Sequence, residues 1–77
     1  MYPLLETIKI ENGIPMHLAW HQRRMDYAFH MLIGTSNPFQ LIDLIRVPYE
    51  YSKGVNKCRI LYGANDYSFE FVKYESR

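Results

Sequence analysis

Apolar and polar residues alternate at the start of the chain, which is the period of a β-strand. The predicted strand runs from Leu4 to Glu11, and one of its faces carries Leu4, Glu6, Ile8 and Ile10. The other face carries Leu5, Thr7, Lys9 and Glu11. The dipeptide Asn12-Gly13 supplies two residues that tolerate positive φ, as the type I′ turn of a hairpin requires. Renewed alternation predicts a return strand with an apolar face formed by Ile14, Met16 and Leu18.

Spacings of three and four residues follow the hairpin, and they predict two helices. The first helix spans about 20–33 and ends at Gly34. Its inward stripe is Met25, Ala28, Phe29 and Leu32. The second helix begins with Asn37 as its N-cap and Pro38 as its first residue, and it ends near Arg46. Its predicted inner row is Phe39, Ile42 and Ile45.

Alternation returns in the last part of the chain, after a predicted loop over 49–56. It marks strands at 57–62 and 67–74, separated by a turn at 63–66. The apolar rows of these strands are Cys58, Ile60 and Tyr62, and then Tyr67, Phe69 and Phe71. The order β-β-α-α-β-β predicts an α+β fold, an antiparallel four-stranded sheet with two helices on one face. The second face keeps Leu5, Leu61, Val72 and Tyr74, so we expect another domain or a second copy to cover it.

Length and charge restrict the classes of protein that fit. With 77 residues, the chain is expected to form a single domain over residues 1–77. A formal net charge of +1 argues against partnership with nucleic acid or an anionic membrane, and no apolar run is long enough to span a bilayer. The aromatic row of the last strand is therefore expected to be core or interface rather than a base-stacking surface. One cysteine and no signal peptide indicate the cytoplasm.

The residues form no evident catalytic or metal-binding constellation. His17 and His21 are four residues apart, but His17 falls on the predicted return strand, so the pair lacks the helical geometry of a metal site. Cys58 points inward on its strand and is expected to be a core residue rather than a nucleophile. Glu6 and Glu70 lie on strands, where solvated or ion-paired roles are the default.

Arg24 is the strongest candidate for binding an anion. It follows His21, on the helix stripe, by three residues and lies near the expected helix start, where free N–H groups and the helix dipole favour negative charge. A guanidinium there can complete a phosphate site, although the residues alone favour a solvated arginine beside a packed histidine. Lys9 and Arg59 project from the strand face opposite the apolar rows. They are either solvent-facing charges or, with Arg24, the lining of an anion-binding cleft along one side of the sheet.

Three motifs together resemble the N-terminal domain of the class IV aminotransferases, the fold-type IV pyridoxal-phosphate enzymes. They are Pro3-Leu4-Leu5-Glu6-Thr7-Ile8-Lys9-Ile10-Glu11-Asn12-Gly13, His21-Gln22-Arg23-Arg24-Met25 and Cys58-Arg59-Ile60-Leu61-Tyr62. The chain looks most similar to short members that resemble aminodeoxychorismate lyase. The resemblance covers nearly all of the chain but only the first third to half of a whole family enzyme.

The resemblance implies a role for three cations. Arg24 matches the family arginine that binds the phosphate of pyridoxal 5′-phosphate, and this reverses the preference for a merely solvated side chain. Lys9 and Arg59 match, more loosely, positions that face the substrate pocket, which takes a small amino substrate. Family members are typically dimers, so we expect a homo-oligomer or a missing C-terminal domain as partner.

Two departures from the family pattern limit this implication. The glycine-rich lead before the first strand is absent, because the chain starts at Met1-Tyr2-Pro3. The catalytic lysine of the family belongs to a later domain, and Lys53, Lys57 and Lys73 do not match its motif. The resemblance therefore implies a cofactor-binding part that is inactive alone and binds pyridoxal phosphate weakly or not at all. The alternative is a non-catalytic α+β module that uses its open sheet face for protein contact.

Overall fold

A computed structural model of the chain describes residues 4–73. Its elements are β1 (Leu4–Glu11), β2 (Ile14–Pro15), α1 (Leu18–Ala28), α2 (Leu41–Leu44), β3 (Val55–Tyr62) and β4 (Tyr67–Lys73). The strands form one antiparallel sheet in the order β2-β1-β3-β4. The predicted α+β fold, with two helices on one face of a four-stranded sheet, is confirmed. Pro3, from the first motif, and Tyr74, expected at the end of the last strand, lie outside the described residues.

The core lies between the helices and the sheet face that alternation predicted. Ile8 and Ile10 of β1 are fully buried there. Met25 and Phe29 pack against them from the helical layer, and the remaining buried apolar side chains of this cluster are Leu41, Ile45, Cys58, Ile60 and Tyr62. Successive strand residues point to opposite faces, so the residues next to Ile8 and Ile10 in sequence point away from the core. We call this second face the open sheet face.

The predicted hairpin turn is confirmed, but the return strand is much shorter than predicted. Asn12 and Gly13 have φ values of 50° and 82°, as the type I′ turn requires. Asn12 also ties this turn to the loop before β3, because its Oδ1 accepts a 2.9 Å hydrogen bond from the N–H of Gly54. Strand β2 stops at Pro15, since His17 takes a left-handed conformation with φ 54° and directs the chain into α1.

The first helix has a wide last turn that changes which residue faces the core. Residues Phe29–Ile33 form a π-helical turn that closes with a 2.7 Å hydrogen bond from the N–H of Gly34 to the carbonyl of Phe29. The wider turn shifts the inward position by one residue. The prediction for Leu32 is therefore wrong, because its side chain is 71% exposed and Ile33 packs against the core instead.

The second helix is one turn long, and side-chain hydrogen bonds explain why. Asn37 does not cap a helix; its Oδ1 accepts a 2.8 Å bond from the N–H of Phe39. Gln22 of α1 binds the same segment twice, accepting from the N–H of Leu41 at 2.8 Å and donating to the carbonyl of Phe39 at 3.0 Å. These bonds hold residues 37–40 out of helical geometry, and the predicted inward residue Ile42 is 72% exposed. Within residues 4–73, no helix is long and apolar enough to cross a membrane.

Candidate functional site

A cluster of polar side chains forms where the first half of β1 passes under α1. Glu6 lies on the inward face of β1, two residues before the buried Ile8. His21 and Met25 are one turn apart on the buried side of α1, so the helical period brings His21 over Glu6. We call Glu6, His21 and Arg24 the carboxylate cluster.

The carboxylate of Glu6 has two basic neighbours. It is only 4% exposed, and its Oε2 lies 2.7 Å from Nδ1 of His21, which is also buried. The same Oε2 lies 3.5 Å from Nε of Arg24. A buried carboxylate is strongly destabilising without such partners, so the cluster satisfies Glu6 within the protein.

The guanidinium of Arg24 contacts Glu6 at its Nε edge and Trp20 on one face, and the side chain is partly exposed to solvent. Its Cζ lies 4.8 Å from the centre of the Trp20 ring, which is cation–π distance. The side chain is 56% exposed, and it contacts Glu6 through Nε. A half-exposed guanidinium has the paired N–H donors that match an incoming phosphate or carboxylate.

The helix start does not help Arg24 in the way that the sequence suggested. Helix α1 begins at Leu18, so Arg24 is its seventh residue and lies in the second turn. Free N–H groups and the dipole act within the first turn. That part of the argument for Arg24 is wrong, and its capacity to bind an anion depends on its own guanidinium.

Tyr62 links the carboxylate cluster to the core. Its ring stacks on that of Phe29 at 5.6 Å. Burial raises the pKa of the Tyr62 hydroxyl, the carboxylate of Glu6 raises it further, and the guanidinium of Arg24 lowers it. The phenol is therefore kept neutral beside the cluster.

Lys9 and Arg59 are neighbours on the open face of the sheet, and the sheet separates them from Arg24. The registers Thr7 with Arg59 and Lys9 with Lys57 place them diagonally. Lys9 lies 3.8 Å from Glu11, and Arg59 lies 3.7 Å from Glu70. A single cleft lined by all three predicted cations is therefore wrong. A shallow depression of about 340 Å³ is lined by Lys9 and Lys57 together with Thr7 and Val55.

The remaining candidates have structural roles. Cys58 is fully buried, and burial raises the pKa of its thiol to about 12, so it is not a nucleophile at neutral pH. Phe69 and Phe71 pack against the core rather than forming a stacking surface. Among the described residues, no three His, Cys, Asp or Glu side chains come together as a metal site.

Sequence reasoning assigned Glu6 a solvated or ion-paired role but named no partner for it. Alternation had placed it on the same face as Ile8 and Ile10, and an acidic residue on a buried face is the signal that it has a partner. His21, on the inward stripe of the first helix, was the partner to look for.

The chain is similar to known proteins in both sequence and structure. The chain is 33% identical over 79 aligned positions to an uncharacterized protein of Haemophilus influenzae, with all of this chain and 42% of the relative covered. The crystal structure of a putative 4-amino-4-deoxychorismate lyase from Haemophilus somnus 129PT superposes on the whole chain with a TM-score of 0.84 and 27% identity. No family model matches the chain.

These similarities indicate the class of protein whose fold this chain shares. The predicted resemblance to the class IV aminotransferase fold, and to aminodeoxychorismate lyase-like members in particular, is confirmed at the level of the whole chain. The chain spans 42% of the length of each of the two proteins.

Proposed function

We propose that this chain is the N-terminal part of a pyridoxal-phosphate-dependent enzyme of the aminodeoxychorismate lyase and class IV aminotransferase type, and that Arg24 binds the cofactor phosphate. One observation carries the proposal. The guanidinium of Arg24 contacts Glu6 through Nε and the Trp20 ring through Cζ, and the side chain is still 56% exposed. The crystal structure of the putative lyase shares the fold over the full chain, which supports the enzyme type in this proposal.

The residues fit a phosphate ester. A guanidinium is always charged, and its paired N–H groups match two oxygens of a phosphate. The Trp20 ring lies at cation–π distance from the guanidinium. When bound, the cofactor supplies the electron sink for chemistry at an amino substrate, and this chain contributes anchoring and orientation.

Lys9 and Arg59 lie on the other face of the sheet, so a cofactor anchored by Arg24 would not reach them, and their role toward a substrate stays a prediction from the resemblance. In a longer protein, the remaining domain or a second copy would provide the catalytic lysine. This arrangement leaves the isolated chain without turnover and with weak affinity for the cofactor.

Two ligands without an aldehyde test the role of Arg24, because they cannot form imines with surface lysines. The isotope-labelled chain is titrated by NMR with pyridoxine 5′-phosphate and with pyridoxine. We expect weak binding of the phosphate ester centred on Arg24 and no binding of pyridoxine.

The matched variants are Arg24→Gln and Arg23→Gln, since these neighbouring exposed arginines carry the same charge. Arg24→Gln should weaken binding about tenfold, the value of one charge-assisted contact, and Arg23→Gln should not. Equal binding by the two variants would refute the role of Arg24. A chain that ignores the phosphate ester but binds a protein through the open sheet face would favour the interaction module.

A further inference from the structure

Glu6 is more deeply buried than an ordinary partner of a surface arginine. Its carboxylate is 4% exposed, whereas the arginine side chain it contacts is 56% exposed. We propose that Glu6 is a positioning residue, which holds Arg24 by its Nε edge so that the Nη groups stay directed at the phosphate. This inference rests on the proposed function.

Two contacts restrict the guanidinium. Glu6 Oε2 lies 3.5 Å from Nε, an ion-pair contact on the inner edge of the group. The ring of Trp20 lies 4.8 Å from Cζ, which is a contact on one face of the group. A long exposed arginine otherwise loses much rotamer freedom when it binds a ligand, so prior orientation strengthens binding.

His21 completes the arrangement by holding Glu6. Its Nδ1 lies 2.7 Å from the same Oε2 that faces Arg24. The imidazole is buried and packs edge-on to Trp20, with ring centres 5.0 Å apart. His21 therefore holds the Glu6 carboxylate in place, and that carboxylate in turn restricts the guanidinium of Arg24.

A carboxylate near a phosphate also repels it, so neutralising Glu6 has two opposite effects on phosphate binding that the experiment can separate. If Glu6 mainly positions Arg24, neutralising Glu6 frees the guanidinium and weakens binding. If Glu6 mainly competes with the ligand, the same change strengthens binding. A purely structural role for Glu6 leaves the affinity of the folded variant unchanged.

The first test needs no variant at the cluster. In the ligand-free chain, ¹⁵N relaxation of the Nε–H groups compares Arg24 with the neighbouring Arg23. We expect Arg24 to be rigid on the nanosecond timescale and Arg23 to be mobile. Equal mobility of the two groups would overturn the proposal, whether or not a variant folds.

The second test is a cycle of Glu6→Gln, Arg24→Gln and the double variant, with pyridoxine 5′-phosphate as the probe. Glu70→Gln is the matched control, because it removes an exposed carboxylate 3.7 Å from Arg59 on the other face. We expect Glu6→Gln to mobilise the Nε–H of Arg24 and to weaken binding about tenfold. In the Arg24→Gln background, the same change should have no further effect.

The outcomes separate the two claims. Unchanged or tighter binding by folded Glu6→Gln, with Arg24→Gln still defective, overturns only the positioning role. Full binding by Arg24→Gln overturns the proposed function and, with it, the role of Glu6 toward the phosphate.

Discussion

Replacing His21 by leucine removes the closest partner of the buried Glu6 and should be strongly destabilising. The lost contact is the 2.7 Å interaction between Nδ1 and Oε2. Removing one partner of a buried charged group costs about 3–5 kcal/mol, because the remaining charge is left uncompensated. Arg24 remains 3.5 Å away on the solvent side, so we expect a loss near the lower end, about 3 kcal/mol. A chain of this size has a free energy of unfolding of about 4–12 kcal/mol, so the effect is large.

Urea unfolding followed by the fluorescence of Trp20 measures this change directly. Trp20 is the only tryptophan in the chain, and its ring lies 5.0 Å from that of His21. The matched control is His30→Leu, which replaces an exposed histidine and should change stability by less than about 0.5 kcal/mol.

The double variant Glu6→Leu/His21→Leu decides whether the reasoning is right. It removes both polar groups, so it should be clearly more stable than His21→Leu alone. A loss below about 1 kcal/mol for His21→Leu would refute the account of the cluster. Additive losses in the double variant would refute it as well.

The other predictions use separate parts of the fold. Burial raises the pKa of the Cys58 thiol from 9.0 to about 12, so the folded chain keeps a proton that the unfolded chain releases; stability should fall from pH 9 to pH 12, and Cys58→Val should flatten that decline in alkaline melts. Lys9→Gln and Arg59→Gln should each change stability by less than about 0.5 kcal/mol in thermal melts, and a loss of several kcal/mol would show hidden pairing. Asn12→Ala should cost about 2 kcal/mol in urea unfolding, since it loses both the bond to Gly54 and the tolerance of positive φ, whereas Asn12→Gly should cost about half of that. Sedimentation at micromolar concentration should show self-association through the open sheet face, and a monomer that binds no apolar dye would contradict it.

The central strands were predictable because their apolar residues recur at every second position and all face the core. The pattern placed Ile8 and Ile10 inward, and the Asn12-Gly13 turn fixed the hairpin register. The buried rows of β1 and β3 therefore follow from the local sequence, whereas the short length of β2 does not.

The helical layer was predictable only in part, because its departures depend on single hydrogen bonds between distant residues. Gln22 binds the backbone at Phe39 and Leu41, 17 and 19 residues away in sequence, and thereby shortens the second helix. The spacing of apolar residues along a helix does not predict such long-range contacts. The wide turn after Ala28, which exchanges Leu32 for Ile33 in the core, is equally invisible to a regular period.

The candidate arginine could be singled out from the sequence, and its role toward a phosphate stays a prediction, but its surroundings could not be predicted. Arg24 was found from its motif, and its placement beside His21 followed from the helical period. Glu6 was on the correct face, but its partner required knowledge of how α1 crosses β1. The separation of Lys9 and Arg59 from Arg24 likewise depends on which face of the sheet the helices cover.

Borohydride trapping tests most directly the central claim that this chain anchors the cofactor phosphate but does not supply the imine-forming lysine. The chain is mixed with pyridoxal 5′-phosphate and an amino substrate, reduced, digested and mapped by mass spectrometry. We predict diffuse, substoichiometric labelling of the lysines and no turnover, with phosphate-dependent binding that Arg24→Gln weakens about tenfold. Stoichiometric labelling of one lysine, accompanied by turnover and abolished by Arg24→Gln, would show a complete enzyme and contradict the account.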